Sequence, residues 1–203
     1  MARLDGGFFL RDTVEAARDL LGRYLVRETE EGLIVCRVTE TEAYVGAVDK
    51  ACHAYGGRMT ERTRTLYAAP GTIYVYLIYG MYHCLNVVTE AEGAAAAVLI
   101  RGGEIVYGED RAAARRFGVP AAALTPAQRR IFSDGPGKLC KALGIDRSLN
   151  GLPAASSPLY FSDGLPELGL PPRREGLPFR TGRRIGIDYA QEAADFPWRF
   201  WLA

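Results

Sequence analysis

The 203-residue sequence has few histidines and few cysteines, which limits the kinds of site it can form. Its two histidines and four cysteines are scattered, without a CxxC pair or another recognisable ligand spacing. That scatter argues against a metal centre, and no metal or other cofactor is expected. Unpaired cysteines also favour free thiols in a reducing compartment, so we expect a cytoplasmic protein.

Long apolar runs are also missing. The first 20 residues hold only a short apolar stretch, flanked by Asp5, Arg11 and Asp12, which is unlike a signal peptide or a membrane span. Hydrophobic residues make up 48% and charged residues 24% of the chain, as in ordinary globular proteins. A chain of this length buries roughly 70% of its unfolded surface. We therefore expect one domain over residues 1–203 and no membrane partner.

The sequence has almost no net charge and very little lysine. A formal charge of +1 argues, taken alone, against holding nucleic acid by bulk electrostatics. Arginine outnumbers lysine by 22 to 3; arginine suits phosphate and ring contacts, although genome composition or heat adaptation gives the same bias. Residues 58–64, 111–130 and 173–184 are rich in arginine, whereas residues 28–49 are acidic. This pattern is compatible with a basic face and equally with scattered, solvated charges.

Apolar periodicity and turn residues predict a mixed fold. Asp12 with Glu15 is a helix-capping pattern, and Gly80 joins two runs rich in β-branched and aromatic residues, which predicts a β-hairpin. The predicted strands are 33–44, 72–79, 82–89 and 96–101, with strand-like PLYFSD (158–163) and RRIGIDY (183–189) later in the chain. The predicted helices are 12–21, 108–117, one capped by Thr125-Pro126, and 137–143. Because strands and helices do not alternate regularly, we expect an α+β fold with a largely antiparallel sheet.

Aromatic residues are concentrated in one part of the chain. Residues 44–83 hold seven of the 11 tyrosines and both histidines. Strands favour aromatic residues, so cross-strand packing is one explanation, but rings also stack on nucleic-acid bases, each for about 1–3 kcal/mol. Strand alternation places Tyr74 and Tyr76 on one face, and Tyr79 beside the Gly80 turn. A bulky side chain at a hairpin tip is suited to wedging into a stacked duplex.

Glu42 stands near the polar end of the predicted strand 33–44. A carboxylate there is commonly a surface acid. In a pocket beside Arg101 it would instead be held ionised and could take a proton from water. Sequence spacing does not decide between these two interpretations.

Six blocks of sequence, in order, carry a resemblance that covers almost the whole chain. They are VTETEAYVG (38–46), ACHAYGGRMTERTR (51–64), PGTIYVYLIYGMYHCLNVV (70–88), AAVLIRGGE (96–104), GPGKLCKALGI (135–145) and RIGIDYAQEAADFPWRF (184–200). Together they resemble the alkyladenine (3-methyladenine) DNA glycosylases, the methylpurine glycosylase family. The resemblance implies a single mixed domain with a curved antiparallel sheet, a protruding hairpin that inserts into DNA, and surrounding helices.

The resemblance also implies an activity. Members of this family extrude a damaged purine from duplex DNA and hydrolyse its N-glycosidic bond with water, which leaves an abasic site for base excision repair. The expected substrates are 3-methyladenine and 7-methylguanine, with deaminated and etheno purines as further candidates. The expected partner is double-stranded DNA that contains damaged purines. The protein is expected to act as a monomer, at the nucleoid of a prokaryotic cell, without the N-terminal extension of vertebrate members.

Residue roles follow from the resemblance position by position. The catalytic set consists of the general base, the arginine that positions water and a histidine beside them: Glu42, Arg101 and His53. The base-binding pocket consists of three aromatic positions and an asparagine that disfavours guanine: Tyr44, His53, Tyr76 and Asn86. Tyr79 matches the residue that takes the place of the extruded base. The positions that match DNA contacts are Arg58, Thr60, Met81 and Tyr82.

Two features qualify this interpretation. None of the three lysines matches a catalytic position, so no amine nucleophile and no strand-nicking lyase activity are expected. His83 stands where vertebrate members carry an aromatic residue.

An alternative function is a non-catalytic nucleic-acid-binding module, because a sheet with a hairpin also resembles the RNA-binding C-terminal domain of formyltransferases. The presence of Glu42 and Arg101 argues against this alternative.

Overall fold

The centre of the protein is an antiparallel sheet, seen in a computed structural model that describes residues 3–203. Its strands in that part of the chain are β1 (Tyr24–Thr29), β2 (Gly32–Tyr44), β3 (Ile73–Ile78), β4 (Tyr82–Thr89), β5 (Ala96–Tyr107), β6 (Leu159–Ser162), β7 (Phe179–Gly182) and β8 (Arg199–Leu202). They pair in the order β3-β4-β5-β2-β1-β6, and β8 pairs with both β2 and β7. Every pairing between these strands is antiparallel, which confirms the expected α+β fold.

Helices flank the sheet, and two of them are capped as the sequence predicts. They are α1 (Gly6–Phe9), α2 (Thr13–Leu20), α3 (Glu109–Phe117), α4 (Pro126–Arg130) and α5 (Pro136–Leu143). At the start of α2 the Asp12 carboxylate accepts a hydrogen bond from Glu15 N, and Thr125 and Gln128 form a reciprocal capping box on α4. No helix within residues 3–203 is long and apolar enough to cross a membrane.

Strand β2 is the axis of the sheet and carries Glu42. Its first half pairs with β1 and its second half with β8, while β5 runs along its other side. The pairing with β5 shifts register in three places between Val35 and Thr41, and such bulges bend a strand. A long, bent strand flanked on both sides curves the sheet and buries the backbone around Glu42.

Strands β3 and β4 form the predicted hairpin, with Ile78 opposite Tyr82. Met81 N donates to Ile78 O, and the two central residues, Tyr79 and Gly80, have φ of 52° and 68°. Two successive positive φ values are typical of type I′ hairpin turns, where glycine and asparagine are favoured over tyrosine. The Tyr79 side chain is 82% exposed at this tip.

Several sequence expectations are wrong in detail. Strand β5 continues through Gly102-Gly103 to Tyr107; a Cβ on Gly103 would lie 2.2 Å from Cys36 Sγ, so glycine permits close strand approach there and does not end the strand. Residues 183–189 are not a strand. They turn at Gly186, which has φ of 76°, and enter a 3₁₀ segment. Strands β1, β7 and β8 were not predicted from the sequence.

Candidate active site

A cavity of about 250 Å³ opens beside the β3–β4 hairpin. Its walls come from the face formed by β3, β4 and β5, from the loop after β2, and from residues 185–189. Six of the predicted site residues line it: Tyr44, His53, Tyr76, Tyr79, Asn86 and Arg101. The fold therefore brings together side chains that are separated by up to 57 positions in the sequence, from Tyr44 to Arg101.

Glu42 lies behind this cavity, and its side chain is fully buried. Tyr44 Oη donates to Glu42 Oε2 over 2.7 Å, and Ile185 N donates to Oε1 over 2.8 Å. Arg101 Nε lies 3.5 Å from Oε1. Burial raises the pKa of Glu42, and Arg101 and the two hydrogen bonds oppose that rise. Glu42 is therefore not a surface acid; each of its oxygens accepts a hydrogen bond, and all three neighbours line the cavity.

Arg101 is shared between two carboxylates. Its Nε donates to Glu40 Oε1 over 3.0 Å, closer than to Glu42. Glu40 Oε1 also accepts from Arg199 Nε on β8. This arrangement fixes the guanidinium beside Glu42, and it leaves Arg101 partly exposed toward the cavity.

The aromatic wall is built by β3 and the loop after β2. The rings of His53 and Tyr76 meet edge to face with centroids 4.7 Å apart, and Tyr74 lies 5.4 Å from Tyr76. Tyr74 was not predicted as a site residue, although strand alternation places it on the same face as Tyr76. Because His53 and Tyr76 are in contact, they form one continuous surface.

His53 is held neutral by its surroundings. Desolvation and the nearby Arg62 cation lower the pKa of His53 to about 4. Arg62 Nη2 lies 3.3 Å from His53 Nε2, and a guanidinium only donates, so Nε2 is the acceptor. The proton of the neutral ring is then on Nδ1, which donates to Tyr74 Oη over 3.1 Å. Arg62 was not singled out from the sequence, because one arginine in an arginine-rich segment carries no distinguishing signal.

Asn86 has a fixed orientation on β4. It is almost fully buried, and its Nδ2 donates to Tyr74 O over 3.2 Å. That bond uses one of the two amide donors and holds the side chain against the cavity wall. A group that cannot turn away is suited to excluding a bulkier base.

The predicted DNA-contacting residues lie on two separate segments. Met81 and Tyr82 follow the hairpin tip and are 68% and 43% exposed. Arg58 is exposed on the loop of residues 55–64, where Thr60 N donates to Thr63 Oγ1 over 2.8 Å. The structure therefore places all four near the outer surface, with Thr60 partly buried by its own turn.

Many arginines of the later basic segments have local partners. Arg115 pairs with Glu31, Arg129 with Glu109 and Arg183 with Asp195. Arg184 is buried against Asp49. Within residues 3–203, by contrast, neither Arg58 nor Arg62 makes an ion pair. The arginine-rich segments 111–130 and 173–184 thus carry less unpaired positive charge than their arginine content indicates.

The described part of the chain holds no group of three histidine, cysteine or carboxylate side chains arranged for a metal ion. The four cysteines are free and buried there, at positions 36, 52, 84 and 140. Burial raises the pKa of each thiol, that of Cys52 to about 11.

Comparison with known proteins places the chain among the DNA glycosylases, which hydrolyse N-glycosyl bonds. The family model described as methylpurine-DNA glycosylase matches residues 7–203, so the chain belongs to this family. The alternative of a non-catalytic binding module is therefore not supported.

Three curated relatives match over nearly their full length and carry the name "Putative 3-methyladenine DNA glycosylase". A protein of Clostridium perfringens (strain SM101) is 46% identical over 98% of this chain and 95% of its own. One of Desulfitobacterium hafniense (strain Y51) is 46% identical over 100% and 96%. One of Methanocella arvoryzae is 47% identical over 99% and 92%.

Proposed function

We propose that this protein excises 3-methyladenine and other N-alkylated purines, including 7-methylguanine, from double-stranded DNA. The observation that carries the proposal is the buried Glu42 carboxylate, whose three polar neighbours line an aromatic cavity. The whole chain acts as one domain and as a monomer, without a metal, in base excision repair of chromosomal DNA.

Binding begins with extrusion of the damaged base from the duplex. Extrusion costs a few kcal/mol because stacking and pairing are lost, and this cost is least for a damaged base pair. Tyr79, exposed at the hairpin tip, fills the vacated space. Arg58, Thr60, Met81 and Tyr82 contact the backbone and minor groove on either side. Electrostatic binding to the DNA phosphates is modest, in keeping with the net charge of +1.

The extruded base stacks between aromatic rings. Tyr76 and His53 form one surface, because their rings touch, and Tyr44 supplies the other. An N-alkylated purine is cationic and is attracted to the faces of these rings. His53 is neutral and adds no opposing charge. Asn86, held by Tyr74 O, crowds the exocyclic amine of guanine and disfavours the undamaged base.

Hydrolysis needs one general base for a cationic purine. Glu42 takes a proton from a water molecule that Arg101 helps to position, and the water oxygen bonds to C1′ of the sugar. The N-glycosidic bond breaks with its electron pair moving to the purine, which leaves as a neutral molecule. A neutral lesion such as hypoxanthine needs a proton as well, and no residue of the site is an obvious acid for it. Cationic lesions are therefore the better substrates.

Excision is tested with end-labelled duplexes that contain one 3-methyladenine, 7-methylguanine, hypoxanthine or ethenoadenine. Abasic sites are revealed by alkaline cleavage after a single turnover. Wild-type protein should release the methylated purines fastest, and Glu42→Gln should release none. The matched control is Glu104→Gln, an exposed carboxylate on β5 paired with Arg37, which should behave as wild type. Full release by Glu42→Gln would show that Glu42 is not the general base.

A further inference from the structure

A second buried charge pair lies next to the site. Arg184 and Asp49 are both fully buried and make a two-point contact, Nη1 to Oδ2 over 2.5 Å and Nη2 to Oδ1 over 2.8 Å. Desolvation offsets much of the attraction in such a pair, so burial of two charges is a poor way to stabilise a fold. The role of the pair is therefore better inferred from the groups that it holds in place than from its contribution to stability.

Arg184 lies next to both residues that donate hydrogen bonds to Glu42. Arg184 directly precedes Ile185, whose N donates to Oε1. The guanidinium carbon lies 4.7 Å from the ring centroid of Tyr44, whose hydroxyl donates to Oε2. Arg184 Nη1 also donates over 2.8 Å to the carbonyl of Ala43, the residue between Glu42 and Tyr44.

On the aspartate side, the pair fixes the loop that leads to the aromatic wall. Asp49 accepts hydrogen bonds from Val45 N over 3.1 Å and from Ala51 N over 3.0 Å. This loop runs from Tyr44 at the end of β2 to His53. One carboxylate thus joins the turn after β2, the start of the His53 segment and the C-terminal segment that contains Ile185.

We infer that Asp49 and Arg184 are positioning residues, which hold the Tyr44 hydroxyl and the Ile185 amide on the two oxygens of Glu42. The inference rests on the proposed role of Glu42 as general base. Neither residue touches the DNA base in this scheme. Each acts through the two donors and sets where the carboxylate points and how readily it ionises.

The other charged groups around Glu42 do not depend on this pair. Arg101 approaches from β5 and Arg199 from β8, and both are held by Glu40 on β2. Two further titratable groups interact with Glu42, the Cys84 thiol on β4 and the Tyr44 hydroxyl. Weakening the Asp49–Arg184 pair should therefore loosen the two donors while the Arg101 cation stays in place. Hydrogen bonds to the charged carboxylate lower its pKa, so their loss should raise it.

The test compares Arg184→Lys and Asp49→Asn with Arg183→Lys. Arg183 is the matched control, since it neighbours Arg184 in sequence and pairs with Asp195, but both side chains are exposed. Single-turnover excision of 3-methyladenine should slow on the order of 10- to 100-fold in the first two variants. The acidic limb of the rate profile should move to higher pH, while affinity for lesion duplex is kept. Arg183→Lys should match wild type.

A double-mutant cycle and a neutral double variant separate positioning from general loss of stability. If Asp49 acts through Tyr44, the effects of Asp49→Asn and Tyr44→Phe on the rate will not add. Asp49→Asn combined with Arg184→Met leaves no lone buried charge, and it should melt cooperatively yet keep the shifted pH profile. Additive effects, or folded variants with the wild-type rate and profile, would overturn the inference. Full activity in Glu42→Gln would instead overturn the proposed role of Glu42 as general base, so the two failures are distinguishable.

Discussion

The Tyr44 hydroxyl lies 2.7 Å from the Glu42 carboxylate, and the two residues are separated by one position on the same strand. Residues i and i+2 of a strand project from the same face, so β2 itself delivers both the acid and its donor. The TETEAY segment thus places both members of this hydrogen-bonded pair on one face of a single strand. Arg101 and Ile185 approach the same carboxylate from β5 and from the C-terminal segment.

Tyr44→Phe should move the acidic limb of the excision profile to higher pH. The hydroxyl bond stabilises the ionised carboxylate, so its loss raises the pKa of Glu42 further above its usual range. Below that pKa less of the enzyme carries the base, and single-turnover rates on 3-methyladenine should fall most at acidic pH. Tyr107→Phe, at the exposed end of β5, is the control. An unshifted profile in Tyr44→Phe would show that this bond does not tune Glu42.

Glu42→Gln should make the protein more stable while it removes activity. Burial raises the folded-state pKa of Glu42, so the cost of the buried charge is fully present above that pKa and absent below the unfolded value. The amide keeps a carbonyl for Ile185 N and carries no charge. We expect a gain of about 1 kcal/mol in the free energy of unfolding at neutral pH. The gain should vanish below about pH 4, near the unfolded pKa.

Urea denaturation of wild type, Glu42→Gln and Glu104→Gln at neutral and acidic pH measures this difference. Glu104 is exposed, so its variant controls for the loss of one formal charge. A Glu42→Gln protein that is less stable than wild type at neutral pH would mean that Arg101 outweighs burial. The pKa of Glu42 would then lie below its usual range, and not above it.

The local sequence pattern predicted much of the sheet, but it did not predict which later segments of the chain contact the site. The predicted strand at 82–89 has the bounds of β4, because β-branched and aromatic residues there face a buried surface. Residues 183–189 have a similar composition but turn, since Ile185 N bonds to the Glu42 side chain and not to a neighbouring strand. The hydrogen-bond partner of a backbone amide cannot be predicted from which amino acid stands at that position. For the same reason the Asp49–Arg184 pair, 135 residues apart, could not be read from spacing.

Tyr79→Gly should stabilise the hairpin and weaken binding to lesion DNA. Tyr79 has φ of 52°, a conformation that glycine adopts without the strain of a side chain. Loss of the inserted ring should cost about 1–3 kcal/mol of affinity for a duplex with an extruded base. Tyr79→Phe keeps the ring and should keep the affinity. Melting curves and fluorescence anisotropy measure the two effects, and equal affinity of Tyr79→Gly and wild type would show that Tyr79 does not fill the vacated space.

Salt dependence should separate the arginines that contact DNA from those that hold the fold. Arg58 is exposed on the loop of residues 55–64 and makes no ion pair within residues 3–203, whereas Arg129 pairs with Glu109 at 3.0 Å. Each phosphate contact contributes nearly one unit to the slope of log affinity against log salt, so Arg58→Ala should lower that slope by about 1. Arg129→Ala should leave the slope unchanged, since its charge is already neutralised locally. Anisotropy titrations of lesion duplex across a salt series give both slopes. Equal slopes for wild type and both variants would place Arg58 away from phosphate.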